Sequence, residues 1–205
     1  MALAPCEDGR RMGSLSIIRT EVPPARIGTR EDAVRWARSL LLKEDFVVLD
    51  SETTGLGNPI DFVEVGVLSC RGESLFNSLI KPSCRVEPGA SRVHGHTMKS
   101  LSGERCFFEV YPDLLDALWA KRVIVYNATY DRRVWDAAVR RLGARAALAG
   151  ELAPWECAMR AFAAYVGERS KRGGYKNQKL PGGDHTALGD ARATLHLIER
   201  MAEGA

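Results

Sequence analysis

Apolar residues recur along the chain with two distinct periods. Phe46-Val47-Val48-Leu49 and Arg122-Val123-Ile124-Val125-Tyr126 are short, largely β-branched runs with no polar alternation, the pattern of strands covered on both faces. Further strands are predicted near Asp61–Cys70 and Ser74–Lys81. Between and after them the period lengthens to that of a helix. Ala33, Trp36, Ala37, Leu40 and Leu41 line one stripe of a predicted N-terminal helix at about 30–43. Thr29 and Asp32 head it like a capping box with Asp in place of Glu or Gln. The pattern predicts a short helix near Thr97, a longer one around Val110–Ala120, and another from Tyr130 to Leu142, closed by Gly143. Cys157 to Val166 and a last helix carrying Thr194, Leu195, Leu197, Ile198 and Met201 complete the set. Strands interleaved with helices make this an α/β chain. The N-terminal helix is expected to pack on the core, with a homodimer contact as its alternative use.

Acidic residues sit at the junctions of these elements. Asp50 and Glu52 are two apart at the end of the first strand, so the strand's alternation puts both on one face. Two carboxylates that close repel each other, and a divalent cation relieves the conflict. An isolated Asp-x-Glu is more often a solvated strand end. Asp131 falls in the first turn of a helix that follows a strand directly, where open α/β sheets place their ligands. Alone it reads as an ordinary helix-start residue, and Asn127 as a turn former. Asp190 lies near the start of the last helix, with His185 five residues earlier. Beside a metal cluster, histidine is the side chain type suited to taking a proton near neutral pH.

Taken together, Asp50-Ser51-Glu52-Thr53-Thr54-Gly55-Leu56, Asn127-Ala128-Thr129-Tyr130-Asp131 and His185 through Asp190 resemble the three motifs of the DEDDh exonuclease family. This ribonuclease H-like group includes the proofreading ε subunit of bacterial DNA polymerase III. Val93-His94-Gly95 is similar to a fourth family segment, and the resemblance runs from about Asp45 to Met201. It implies a central mixed five-stranded sheet flanked by helices, its first three strands an antiparallel meander, with the N-terminal helix as an extra element. It also implies 3′–5′ removal of nucleoside 5′-monophosphates with two Mg²⁺ or Mn²⁺ ions. Asp50 would bridge both ions, Glu52 and Asp190 would complete one, Asp131 would serve the second, and His185 would be the general base. Thr53, Thr54, Gly55, Leu56, His94, Asn127 and Tyr130 would contact the terminal nucleotide. Ser51 stands where Thr is usual and should face away from the metals. His96 replaces a commonly apolar residue and receives no role.

Composition changes the picture little. The chain has 205 residues and a net charge of +3, so no large uniform basic field is implied. The run from Arg169 to Lys179 concentrates five positive charges just before His185 and reads either as a mobile, phosphate-contacting loop that helps to deliver it or, equally, as a solvated loop with no ligand. Five cysteines without a Cys-x-x-Cys pair argue against a disulfide framework or a zinc site and for a cytoplasmic setting. No stretch has membrane-spanning length, and no secretory leader is evident. Residues 1–28 are expected to form a partly disordered extension before an exonuclease domain over 29–205. The chain ends soon after Met201, which leaves no evident polymerase-binding tail and favours a free-standing enzyme. The preferred partner is single-stranded DNA with a free 3′ end, in repair or editing. The alternatives are RNA 3′-end trimming and a catalytically silent nucleic-acid-binding domain; retention of every motif residue argues against the last.

Overall fold

A computed structural model describes residues 27–143 and 155–204; most of the expected N-terminal extension lies outside the described residues. Helix α1 (Arg30–Lys43) begins as its cap predicts. The Thr29 hydroxyl accepts the Asp32 N–H at 3.1 Å, and the Asp32 carboxylate accepts the Thr29 N–H at 3.0 Å. Asp is therefore long enough to close the box.

Five strands form one sheet: β1 (Phe46–Thr53), β2 (Phe62–Ser69), β3 (Ser74–Leu79), β4 (Arg122–Val125) and β5 (Trp155–Cys157). Their spatial order is β3-β2-β1-β4-β5, with β1, β2 and β3 antiparallel and β4 and β5 parallel to β1. The predicted meander and the mixed sheet are both present. Helices α3 (Phe107–Leu118) and α4 (Ala128–Leu142) cover one face, against Val47, Leu49, Val65, Val67, Val123 and Val125. Helices α1, α5 (Ala158–Val166) and α6 (Ala187–Glu203) cover the other, against Phe46, Val48, Leu68 and Ile124. The uninterrupted apolar runs of β1 and β4 follow from this double cover. The architecture is that of a ribonuclease H-like fold.

Two helices differ from the periodic pattern. Residues around Thr97 make only successive hydrogen-bonded turns, and the short helix lies upstream as α2 (Pro88–His94). Only Leu101 is buried in the Thr97 region, too little apolar surface to hold a helix, whereas Pro88 at the first position and Gly95 at the end (φ 79°) delimit α2. Helix α3 starts three residues before the predicted Val110 despite Pro112 within it. Phe107 and Tyr111 pack among Phe62 and Trp135 with ring centroids 5.5–6.1 Å apart, and that burial outweighs the hydrogen bond forfeited at Pro112. No helix among the described residues is long and apolar enough to cross a membrane.

Candidate active site

Strand alternation decides what meets at the carboxyl end of β1. Asp50 and Glu52 continue the face of Phe46 and Val48, toward α6. That helix comes close because Asp50 pairs across the sheet with Gly66. A Cβ on Gly66 would lie 2.8 Å from the backbone of Ala187 and Leu188, so only glycine lets the helix start reach the sheet. The approach carries Asp190 into place. Its Oδ1 accepts the backbone N–H groups of Asp184 (2.8 Å) and His185 (3.2 Å), which fixes the carboxylate. Asp184 in turn accepts from the backbone and hydroxyl of Thr186, the α6 N-cap. His185 sits in the left-handed region (φ 62°) and is exposed. Glu52, His185 and Asp190 thereby offer ligand atoms that all lie within 4.8 Å of one another.

Asp131 arrives from the other side, in the first turn of α4, and is buried. The Ser51 hydroxyl donates to its Oδ1 at 2.7 Å. Ser51 does point to the face opposite Asp50 and Glu52, as expected. Its predicted separation from the site needs correction, because that face is where α4 delivers Asp131.

Charge is crowded here. Burial, followed by the neighbouring Asp131, Asp190 and Glu52, holds the Asp50 carboxyl well above the ordinary carboxylate range. Burial and Asp190 push Glu52 up to about 8. Burial lifts Asp131 to about 7 against the opposing hydrogen bond from Ser51. A recessed group of hard oxygen donors that strains to shed its negative charge fits a divalent cation.

The sequence reading missed three participants. Ser51 and Asp184 are two. The third is Glu64, buried on β2 directly across from Glu52; its Oε2 accepts the Ala187 N–H at 3.2 Å and lies 3.5 Å from His96 Nε2. A single acid inside the apolar run Phe62-Val63-Glu64-Val65-Gly66-Val67-Leu68 was the available signal, since a charge is buried only when something pairs it. His96 also has a place: its ring stacks on that of His94, with centroids 5.2 Å apart.

The residues expected around a terminal nucleotide gather at the next turn. Leu56 is 77% exposed, its carbonyl held by Arg133 at 2.9 Å. The Tyr130 hydroxyl donates to the Gly55 carbonyl (2.6 Å) and touches the Thr53 hydroxyl (2.6 Å). His94 Nδ1 accepts the His96 N–H, so its Nε2–H faces the Thr53 carbonyl at 3.1 Å. Burial lowers the pKa of His94, in keeping with a neutral ring. Asn127 caps α4 in position only, without a side-chain cap bond. Thr54 departs from expectation: it is buried, its hydroxyl accepts the Asp61 N–H, its N–H donates to Asp61 and its carbonyl accepts from Glu87. It braces the turn and presents no free donor.

The basic run folds back on itself. Arg169 and Tyr175 form an antiparallel bridge, and Lys176 pairs with Glu168 at 2.8 Å, making a small hairpin.

Known exonucleases are among the proteins similar to this chain. The exonuclease family model of the RNase T type matches residues 47–198. An uncharacterized exonuclease of Escherichia phage 186 is 29% identical over 80% of this chain and 91% of its own length. The PolC-type DNA polymerase III of Thermotoga petrophila is 30% identical over 77% of this chain but only 12% of that polymerase. The DNA polymerase III ε subunit of Pasteurella multocida is 31% identical over 47% of this chain and 42% of the subunit. Among solved structures, exonuclease X in complex with 5′-overhanging duplex DNA superposes with a TM-score of 0.54 at 20% identity, over 78% of this chain and 92% of that one.

Proposed function

Because the chain belongs to the RNase T-type exonuclease family, we propose that it removes nucleoside 5′-monophosphates from the 3′ end of single-stranded DNA with two divalent cations. The observation that carries this reading is the convergence of Glu52, His185 and Asp190 within 4.8 Å, with the half-buried Asp50 and the buried Asp131 beside them. Asp50, Glu52, Asp131 and Asp190 would hold Mg²⁺ or Mn²⁺. Bound cations supply the positive charge that stabilises both the attacking and the leaving oxygen of an in-line displacement.

The protein's own groups do the rest. A ring nitrogen of His185 takes the proton of the attacking water, and its exposed position lets it exchange that proton with solvent afterwards. The exposed Leu56 wedges against the last base, while Tyr130 and His94, both tied to the Thr53–Gly55 turn, wall the nucleotide pocket. Backbone groups of Thr53 and Gly55 and the side chain of Asn127 line the sugar. Thr54 supports them from behind. Wedging and stacking accept any base, which suits an enzyme that trims whatever end it meets. DNA is favoured over RNA by the polymerase-associated relatives and the DNA-bound structural neighbour.

The test is digestion of matched DNA and RNA oligomers, labelled at either end, with Mg²⁺ or Mn²⁺. The expected result is 5′-mononucleotides released first from the 3′ end of DNA and abolished by a chelator. Release from the 5′ end, or release that survives chelation, would overturn the reading; faster RNA digestion would move the substrate class.

A further inference from the structure

An open cleft of about 1350 Å³ lies between the starts of α1 and α4, strand β5, helix α5 and the Arg169–Tyr175 hairpin. Small-molecule pockets occupy roughly 300–1,000 Å³, so this space is larger than one compact ligand needs. Thr129 on its rim is two residues from Asp131, on the same helical turn.

Arg132, Arg160 and Arg169 line the cleft together with the rings of Trp155 and Tyr175. Two of the arginines lie over those rings, Arg132 at 5.7 Å from the Trp155 centroid and Arg169 at 4.7 Å from that of Tyr175. The acids on the walls are already engaged. Glu156 is held by Arg122 (2.7 and 2.9 Å) and the Trp36 indole N–H (2.8 Å), and Asp32 by the α1 cap and Arg35. Arg132 has an exposed partner in Asp136, a pair worth little. Arg160 is exposed and has no ion pair among the described residues. The cleft is therefore net basic, with flat rings set between cations: the combination that tracks a single strand by phosphate contact and base stacking.

We propose that this cleft is an extended subsite for the unpaired nucleotides upstream of the scissile bond. It rests on the exonuclease reading above and adds where the rest of the strand lies. A duplex would hide the bases from Trp155 and Tyr175, so the occupant is single-stranded.

The experiment measures binding of fluorescein-labelled oligothymidylates of two to eight nucleotides by anisotropy, in chelator to prevent turnover. In the wild type, affinity should climb at least ~10-fold from the shortest to the longer oligomers, since each stacked base contributes roughly 5- to 150-fold. Tyr175→Ala should lose much of that climb, and Tyr175→Phe should keep it. Arg160→Ala with Arg169→Ala should lower the slope of log affinity against log salt by about 1.4, at ~0.7 per lost phosphate contact. Affinity that does not depend on length, or an unchanged salt slope in the double variant, would overturn the subsite. Nucleotide release in Mg²⁺ or Mn²⁺, run in parallel, separates the subsite from the exonuclease reading. A length-dependent gain without any release would keep the subsite and sink the exonuclease assignment; release without that gain would do the reverse.

Discussion

At the residue scale, the site is a conflict between like charges that the fold maintains. Glu52 and Asp131 carry pKa values near 8 and 7, where unfolded Glu and Asp stand at 4.5 and 3.8. A carboxyl raised in this way binds its proton more tightly in the folded than in the unfolded state. Its stabilising effect is complete below the unfolded pKa and is lost as pH rises through the folded one. The metal-free protein should therefore melt at progressively lower temperature between about pH 4 and 8, and Mn²⁺ added at pH 8 should reverse the loss. A melting temperature that rises over that window would show that the carboxylates are not strained. His185 is tested separately. His185→Ala should bind single-stranded DNA as the wild type does and lose ~10²–10⁴ of its turnover. An unchanged kcat would mean that another group takes the proton.

At the scale of elements, three structures must meet: the end of β1, the first turn of α4 and the first turn of α6. Their approach depends on small features rather than on chemistry-bearing ones. Gly66 admits α6, and the buried Glu64 then ties the Ala187 N–H to β2. Gly66→Ala should cost about 1–3 kcal/mol by overpacking. It should also weaken Mn²⁺ binding at least ~10-fold, by lifting Asp190 away from Glu52. Denaturant unfolding and calorimetric titration check the two parts; wild-type Mn²⁺ affinity would show that α6 is positioned by something else. Much of this was legible in the sequence. Strand alternation fixed Asp50 and Glu52 on one face, and helix-start signals put Asp131 and Asp190 in first turns. What escaped was cross-element geometry. Nothing local says that Glu64 stands opposite Glu52, that Gly66 faces α6, or that Ser51 reaches Asp131. Those facts depend on strand register and on which helix covers which face.

At the scale of the whole molecule, the sheet is a partition between two cores, and the site sits at the carboxyl end of its central strand, where α4 and α6 begin. Trp135 anchors the α3–α4 layer: it is fully buried and meets Phe107, Tyr111 and Trp155 with centroids 5.6–6.1 Å away. Trp135→Ala should destabilise the protein by about 3–5 kcal/mol, measured by denaturant unfolding, and a loss under ~1 kcal/mol would place the centre of this core elsewhere. The layer order was foreseeable from the alternation of strands and helices. The helix α2 and the early start of α3 were not: α2 buries no residue that would mark it, and α3 begins at Phe107 because aromatic packing outweighs Pro112 inside it. The whole arrangement stands on one physical claim, that Asp50, Glu52, Asp131 and Asp190 form a cage for paired cations. Crystals soaked in Mn²⁺ and measured at the manganese edge test it most directly. Two anomalous peaks among these four carboxylates, absent in Asp50→Ala, are the expected result; manganese bound only elsewhere on the molecule would contradict it.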